Sequence, residues 1–178
     1  EAISNGMFTR LRAFPKPTLA AINGFCFGGG VGVAAACDLR FAADDAMFSV
    51  PAARLGIAYR QDFISWLVQI VGAAQLKEIL ITARRYNAQE ALAMGLVNQV
   101  APVETFEADF SAYVAAIAQN APLSTLASKQ MVDEYSDPTR PPDQARCKAL
   151  SQACLASADY VEGRRAFMEK RRPDFQGR

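Results

Sequence analysis

The chain has 178 residues, of which 51% are hydrophobic, and a formal net charge of +1, which is typical of an ordinary globular protein. It contains no histidine, which excludes a Ser-His or Cys-His nucleophilic pair and histidine metal ligands within these residues. No apolar run approaches the ~18–20 residues that a membrane span requires, and the spacing of the cysteines favours reduced thiols in a cytoplasmic protein.

Hydrophobic periodicity predicts alternating helices and strands up to about residue 101. An amphipathic helix over 2–13 is followed by a buried strand over 18–22 and then by a glycine-rich run, Asn23–Gly32. The elements predicted next are a buried helix over 33–37, strands over 38–42 and 47–50, helices over about 63–71, 73–82 and 88–94, and a strand over 96–100.

Helical patterns without strands follow Pro102, where the composition of the chain changes. The helices predicted there cover about 106–120, 123–135, 143–157 and 160–170. The predicted fold class is therefore α/β, with a core domain over residues 1–101 and an all-helical C-terminal region over residues 102–178.

The run Gly28-Gly29-Gly30-Val31-Gly32 lies between a predicted strand and a predicted helix. Glycines there let a ligand approach the main chain closely, and N–H groups at the positive end of a helix can hold an anion or a carbonyl oxygen. The other interpretation is a tight turn that only lets the helix pack closely. The spacing fits neither the dinucleotide fingerprint nor the Walker phosphate loop.

Motifs along essentially the whole chain resemble those of the enoyl-CoA hydratase/isomerase (crotonase) superfamily. They are, in order, Lys16–Gly24, Gly28–Gly30, Cys37–Leu39, Phe48–Pro51, Arg54–Gly56, Leu80–Ala83, Ala88–Ala91, Gly95–Val97 and Glu162–Arg171. The resemblance implies a crotonase-like spiral of ββα turns, of which this chain holds the C-terminal part. It also implies that the helical C-terminal region mediates assembly into a homotrimer, which often stacks into a hexamer.

The resemblance further implies an acyl-CoA substrate whose thioester carbonyl oxygen lies between two backbone N–H donors. One donor matches Gly29, and we expect Phe27 and Gly28 beside it to contact the substrate. Phe167 and Lys170 match residues that contact the CoA nucleotide, often in a neighbouring subunit. CoA is then part of the substrate, and no residue cluster suggests a metal or redox cofactor.

The basic run Arg164–Arg172 can also be interpreted as a solvated helix end or as a nucleic-acid contact. No aromatic stacking platform accompanies its charge, and lysine and arginine suit CoA phosphates. We therefore expect neither a nucleic-acid partner nor a membrane partner.

Two departures from the family pattern affect the expected reaction. The second oxyanion donor lies in an N-terminal segment with an Ala-Gly-x-Asp pattern that this sequence lacks, so we expect a fragment or a processed chain without the first third of a family member. The two glutamates of hydratases fall at Gly32 and Ala52, which cannot activate water. Decarboxylation or isomerisation is therefore favoured over hydration, and the alternative is a non-catalytic CoA-binding or assembly subunit, or an inactive truncated fragment.

The turn after Gly56 matches the place where the superfamily keeps alternative catalytic groups. Tyr59 is similar to a tyrosine of methylmalonyl-CoA decarboxylase, and we expect it to be catalytic; its other interpretation is a ring at a pocket rim with the hydroxyl in water. Arg60, at a position where isomerases have an aspartate, is either a partner for a substrate carboxylate or an exposed turn residue. Asp62 is expected to be a helix N-cap.

Overall fold

The structure is a computed structural model that describes residues 2–137 and 139–178, with side chains described from residue 6 onward. The chain forms two compact units, Glu1–Ser111 and Ala112–Arg178. The boundary between them lies within a helix, Phe106–Ala118, which follows the composition change at Pro102. The domain division at residue 101 stays a prediction.

The first unit alternates short strands with helices. Its elements are α1 (Ala2–Arg12), β1 (Leu19–Ile22), β2 (Phe25–Phe27), α2 (Gly29–Ala36), β3 (Leu39–Ala43), β4 (Met47–Ser49), a 3₁₀ turn (Pro51–Leu55), α3 (Gln61–Val71), α4 (Ala73–Thr82), β5 (Tyr86–Asn87), α5 (Ala88–Ala93), β6 (Gln99–Ala101) and the beginning of α6 (Phe106–Ala118).

In the part of the chain that the structure describes, the strands form two three-stranded sheets. One sheet has the order β1-β3-β6 with parallel pairs, and the other has the order β2-β4-β5, in which β2 and β4 are parallel and β4 and β5 are antiparallel. From β1 to β4, consecutive strands therefore enter different sheets: β1 pairs with β3, and β2 pairs with β4. This alternation is the ββα turn of a spiral.

Two predicted elements have clearly different bounds in the structure. The helix predicted from Val33 begins at Gly29, inside the glycine run, and the short strand β2 precedes it. The strand predicted over 96–100 pairs only at Gln99–Ala101. Arg40 explains the second difference, because its Nε donates to Leu96 O at 2.8 Å and its backbone N–H donates to Asn98 Oδ1 at 2.8 Å.

Arg40 also donates hydrogen bonds to carbonyl groups at the C-terminal end of α2. The residue is 5% exposed, and its guanidinium donates to Cys37 O at 2.9 Å and to Ala34 O at 3.5 Å. Carbonyls at a helix C-terminus have no intrahelical partner and carry partial negative charge, so a buried cation is stabilised there. Arg40 therefore joins the end of α2 to the segment that leads into β6.

The second unit is helical, as predicted for the C-terminal region. It contains the end of α6, then α7 (Pro122–Ser136), α8 (Gln144–Leu155) and α9 (Ala158–Glu169). Glu134 of α7 is 3% exposed and accepts hydrogen bonds from the guanidinium groups of Arg140 and Arg146. The Arg140 hydrogen bond and the Asp143 N–H lower the pKa of Glu134 to about 2, so this buried carboxylate is charged and holds the connection between α7 and α8.

The chain after α9 folds back onto that helix. Asp159, which is 3% exposed, accepts the backbone N–H groups of Gln176 and Gly177 at 2.7 and 2.8 Å. Glu162 pairs with Arg171 at 2.6 Å. Within the residues that the structure describes, no helix is long and apolar enough to cross a bilayer.

Candidate active site at the N-terminus of α2

Gly28 is the point at which strand β2 turns directly into helix α2. Its φ of 50° lies in the left-handed region, which a residue with a side chain adopts only at a cost, and it is the N-cap residue of α2. Its N–H donates to Ser49 O at 2.8 Å, which extends the pairing of β2 with β4. The glycine at this position is therefore required by the backbone, as the tight-turn interpretation predicted.

Gly29 is the first residue of α2, and its backbone is open to solvent. A Cβ built on Gly29 would meet nothing within 4 Å, and among the described residues its N–H donates to no other group. Amides in the first turn of a helix have no intrahelical acceptor and lie at the positive end of the helix dipole. The Gly29 N–H therefore has the exposure that the donor interpretation requires, and its role toward a ligand stays a prediction.

Tyr59 contacts the same loop from the segment before α3. Its hydroxyl donates to Gly28 O at 2.8 Å, and its ring centroid lies 5.5 Å from that of Phe63. Burial, with a smaller contribution from the nearby Cys26, raises the pKa of Tyr59 above its usual value, so the phenol is neutral. The interpretation that places this hydroxyl in water is wrong, whereas the catalytic role of Tyr59 stays a prediction.

Gly32 has no room for a side chain. A Cβ at this position would overlap the ring carbons of Phe63, which is itself 2% exposed and packs edge-on against Phe8 with ring centroids 4.8 Å apart. The other position that matches a hydratase glutamate, Ala52, is also buried. The packing of Phe63 therefore excludes a carboxylate at position 32.

Arg60 and Asp62 form an ion pair with each other. Arg60 Nε lies 3.1 Å from Asp62 Oδ1, and its terminal nitrogen lies 2.7 Å from Oδ2. The hydrogen bond from Arg60 lowers the pKa of Asp62. The N-cap prediction for Asp62 is wrong, because α3 begins at Gln61 and its N-cap position is Arg60. Arg60 is half-buried rather than exposed, and its role toward a substrate carboxylate stays a prediction.

Cys26 lies beneath the glycine loop. A Cβ on Gly30 would be 3.7 Å from its Sγ, and burial raises the pKa of the thiol to about 11. A thiol in this state is protonated at neutral pH and is a poor nucleophile. Cys26 therefore contributes packing to the loop and not covalent chemistry.

The predicted site residues fall into two groups. Gly28, Gly29 and Tyr59 are brought together in the first unit, and Phe27 is the last residue of the strand that leads into them. The centroid of the Phe27 ring lies 5.2 Å from the ring centroid of Phe25 and 5.5 Å from the guanidinium carbon of Arg85. The other group belongs to the second unit.

Phe167 and Lys170 occupy the last turn and the end of α9. Phe167 is 82% exposed and lines a cavity of about 510 Å³ within the second unit. Lys170 is the C-cap residue, with a positive φ of 54°, and its N–H donates to Phe167 O at 3.2 Å. An exposed ring and a cation are thus presented by the same helix end.

Phe63 is the residue at this site that the sequence analysis missed. It was assigned only to the apolar stripe of α3, and nothing in its local sequence distinguishes it from the other members of that stripe. The sequence signal for this contact lies at Gly32, because a glycine within a buried apolar helix indicates close approach by a neighbouring group.

The sequence profile described as enoyl-CoA hydratase/isomerase matches residues 4–178, nearly the whole chain. The chain belongs to the enoyl-CoA hydratase/isomerase family. It is 35% identical over 176 residues to a carnitinyl-CoA dehydratase of Citrobacter koseri, covering 96% of this chain and 67% of that protein. It is 32% identical over 170 residues to a short-chain-enoyl-CoA hydratase of Clostridium acetobutylicum, covering 96% of this chain and 65% of that protein.

Solved structures confirm the predicted crotonase-like fold. An enoyl-CoA hydratase/carnithine racemase from Magnetospirillum magneticum superposes with a TM-score of 0.90 at 34% identity, covering 96% of this chain and 63% of that one. A family protein from Hyphomonas neptunium superposes with a TM-score of 0.89 at 31% identity, covering 99% and 69%. The chain thus spans about two thirds of the length of the family members that it matches.

Proposed function

We propose that this chain binds an acyl-CoA thioester and stabilises the negative charge that develops on its carbonyl oxygen, with the Gly29 N–H as one donor. The observation that carries the proposal is this amide, exposed at the N-terminus of α2 and unused by the described residues around it. The names of two relatives, a short-chain-enoyl-CoA hydratase and a carnitinyl-CoA dehydratase, support the same ligand class. Phe27 and Gly28 would then contact the acyl thioester, and CoA enters as part of the substrate.

The reaction that fits these surroundings is decarboxylation or isomerisation rather than hydration. Hydration needs groups that activate water and manage a proton, and positions 32 and 52 hold a glycine packed under a ring and a buried alanine. In a decarboxylation, the bond between the α-carbon and its carboxylate breaks, CO₂ leaves, and the electron pair forms an enolate that later takes a proton. The enolate oxygen is the group that a backbone donor stabilises.

We assign Phe167 and Lys170 to the CoA nucleotide, because a flat exposed ring and an ammonium group suit an adenine face and phosphates. Assembly as a homotrimer or hexamer and a cytoplasmic location belong to the same proposal. It involves no nucleic acid, membrane, metal or redox cofactor.

A panel of thioesters tests the reaction. Purified protein is supplied in parallel with a 2-enoyl-CoA, a 3-enoyl-CoA and a 2-carboxyacyl-CoA, and hydration, double-bond shift and CO₂ release are followed. We expect hydration to be slower than the best of the other reactions by about 10²-fold or more, the usual contribution of an acid–base group.

Each other outcome of the panel contradicts part of the proposal. Hydration as the fastest reaction would overturn the choice of reaction. Binding of CoA thioesters without turnover of any of them would favour the non-catalytic CoA-binding subunit, which the lost carboxylates also suit. Absence of both binding and turnover would overturn the ligand class.

Lys170→Gly tests the CoA contact without straining the fold. Glycine adopts a positive φ freely, so we expect the urea midpoint to stay the same or rise. Loss of the ammonium group is expected to raise the Kd for CoA about fivefold, from roughly 1 kcal/mol for an exposed ion contact, measured by calorimetry.

Ala83→Gly is the matched control for this variant. Ala83 is the other described non-glycine residue with a positive φ, at 48°, and it carries no charge. We expect its Kd for CoA to equal that of the wild type. Equal Kd values for Lys170→Gly and the wild type would remove Lys170 from the CoA site.

A further inference from the structure

The Tyr59 hydroxyl donates to the same peptide group that carries the Gly29 N–H. Tyr59 donates to Gly28 O at 2.8 Å, and the bond that joins Gly28 C to Gly29 N makes the two atoms part of one planar unit. In a trans peptide the C=O and the N–H point in opposite directions, and the described chain has no cis peptide bond. A hydrogen bond that fixes the carbonyl therefore fixes the direction of the amide.

We propose that Tyr59 is a positioning residue, which holds the Gly28–Gly29 peptide so that the Gly29 N–H points outward, toward the thioester oxygen, and which acts through this peptide and not on the substrate. The effect on catalysis rests on the proposed function of Gly29. The effect on the orientation of the peptide is independent of that function.

This peptide needs an external anchor because glycines flank it on both sides. Gly28 has a positive φ, and neither Gly28 nor Gly29 has a Cβ that limits rotation of the peptide between them. A rotated peptide would present a carbonyl oxygen to the ligand and would repel a developing oxyanion. The helix supplies two bonds to Gly28 O, from Val31 N–H at 3.1 Å and Gly32 N–H at 3.3 Å, and Tyr59 adds a donor from outside α2.

Tyr59 is itself held in place as a neutral donor. Its ring is half-buried against Phe63, and burial raises the pKa of the phenol so that the proton stays on the oxygen at neutral pH. A hydrogen bond to a peptide C=O also polarises the peptide and strengthens the opposite N–H as a donor. Donation of this proton to the substrate would require the hydroxyl to give up its bond to Gly28 O.

Glycine labelling isolates this peptide in a spectrum. The sequence contains two Gly–Gly peptide bonds, Gly28–Gly29 and Gly29–Gly30, so protein labelled with [1-¹³C,¹⁵N]glycine gives two peaks in a spectrum that correlates each amide with the preceding carbonyl. In Tyr59→Phe we expect the Gly28 carbonyl carbon to move upfield and the Gly29 amide proton to follow it, with the Gly30 peak nearly unchanged. Tyr135→Phe removes an exposed hydroxyl from α7 in the other unit and should move neither peak.

A second variant separates the hydrogen bond from the shape of the side chain. Replacement of Tyr59 by 4-aminophenylalanine keeps a donor at the same place and should restore most of the carbonyl shift, even if Tyr59→Phe folds poorly. An unchanged Gly28 carbonyl in Tyr59→Phe, or no restoration by the amino variant, overturns the positioning role.

Kinetics then separate this inference from the proposed function. We expect Tyr59→Phe to lower kcat about fivefold to tenfold, the worth of one neutral hydrogen bond, with KM nearly constant. A shifted Gly28 carbonyl with unchanged kcat would keep the positioning role and overturn Gly29 as the oxyanion donor. A loss of kcat without a shift of the carbonyl would overturn the positioning role and indicate direct action of Tyr59.

Discussion

Gly29→Pro is expected to lower kcat on the best thioester substrate by ~10²–10³-fold, or roughly 3–4 kcal/mol, because proline removes the backbone donor that Gly29 supplies to the proposed reaction. The change suits the local backbone otherwise. Gly29 is the first residue of α2, where proline is favoured and the missing N–H has no intrahelical acceptor. Gly28 has a ψ of −112°, outside the α region that a following proline disfavours.

Gly29→Ala is the matched control for this prediction. It keeps the N–H, and its Cβ would meet nothing within 4 Å. Turnover of the alanine variant should stay within a few-fold of the wild type, and both variants should unfold near the wild-type urea midpoint. Undiminished kcat in a folded Gly29→Pro protein would remove Gly29 from the mechanism.

Gly32→Glu is expected to destabilise the first unit by about 3 kcal/mol or more and not to create a hydratase. The Cβ alone would overlap the buried Phe63 ring. Because this ring also contacts the rings of Phe8 and Trp66, the ring or the helix must move. The carboxylate would then lie among apolar groups without a described partner. The urea midpoint measures the loss of stability, and the panel of thioesters measures any gain of hydration.

Alanine substitutions at three glycines of α2 are the controls for this prediction. Gly29→Ala and Gly30→Ala place a Cβ in open space or in ordinary contact with Cys26 and should be neutral or slightly stabilising, whereas Gly32→Ala should cost roughly 1–3 kcal/mol. Phe63→Leu should relieve part of that cost in the double variant, since the two positions share one space. Equal stability of all three alanine variants would contradict the packing argument.

Apart from α2, the sequence predicted the helices well because their limits are set locally. Gly72 ends α3 and precedes α4 directly, and Asn87 caps α5 through a capping box with Glu90, so these bounds follow from nearby residues. The short strands were harder to predict. β2 and β5 exist only because they pair with β4, and β6 is shortened by the hydrogen bonds of Arg40, which are contacts between distant parts of the chain.

The same distinction applies to the candidate site. The glycine run, and through the resemblance Gly29 and Tyr59, were found from their own neighbours in sequence. The partner of the Tyr59 hydroxyl and the ring that fills the space beside Gly32 depend on how α3 packs against α2, which residue spacing does not reveal. The N-cap prediction for Asp62 failed for a local reason, because α3 begins one residue earlier, at Gln61, and Arg60 pairs with the Asp62 carboxylate.

The two ends of α2 are tied to distant parts of the first unit. Gly28 O accepts from Tyr59, and Arg40, which donates to the carbonyls of Ala34 and Cys37, also donates to Leu96 O. A helix of eight residues is too short to be stable by itself in water, so its order derives from these attachments and from burial. Local fraying of α2 would break bonds to several segments at once. We therefore expect exchange of the hydrogen-bonded amides in this helix to proceed through cooperative unfolding of the whole unit, so that the donor geometry persists for as long as the unit stays folded.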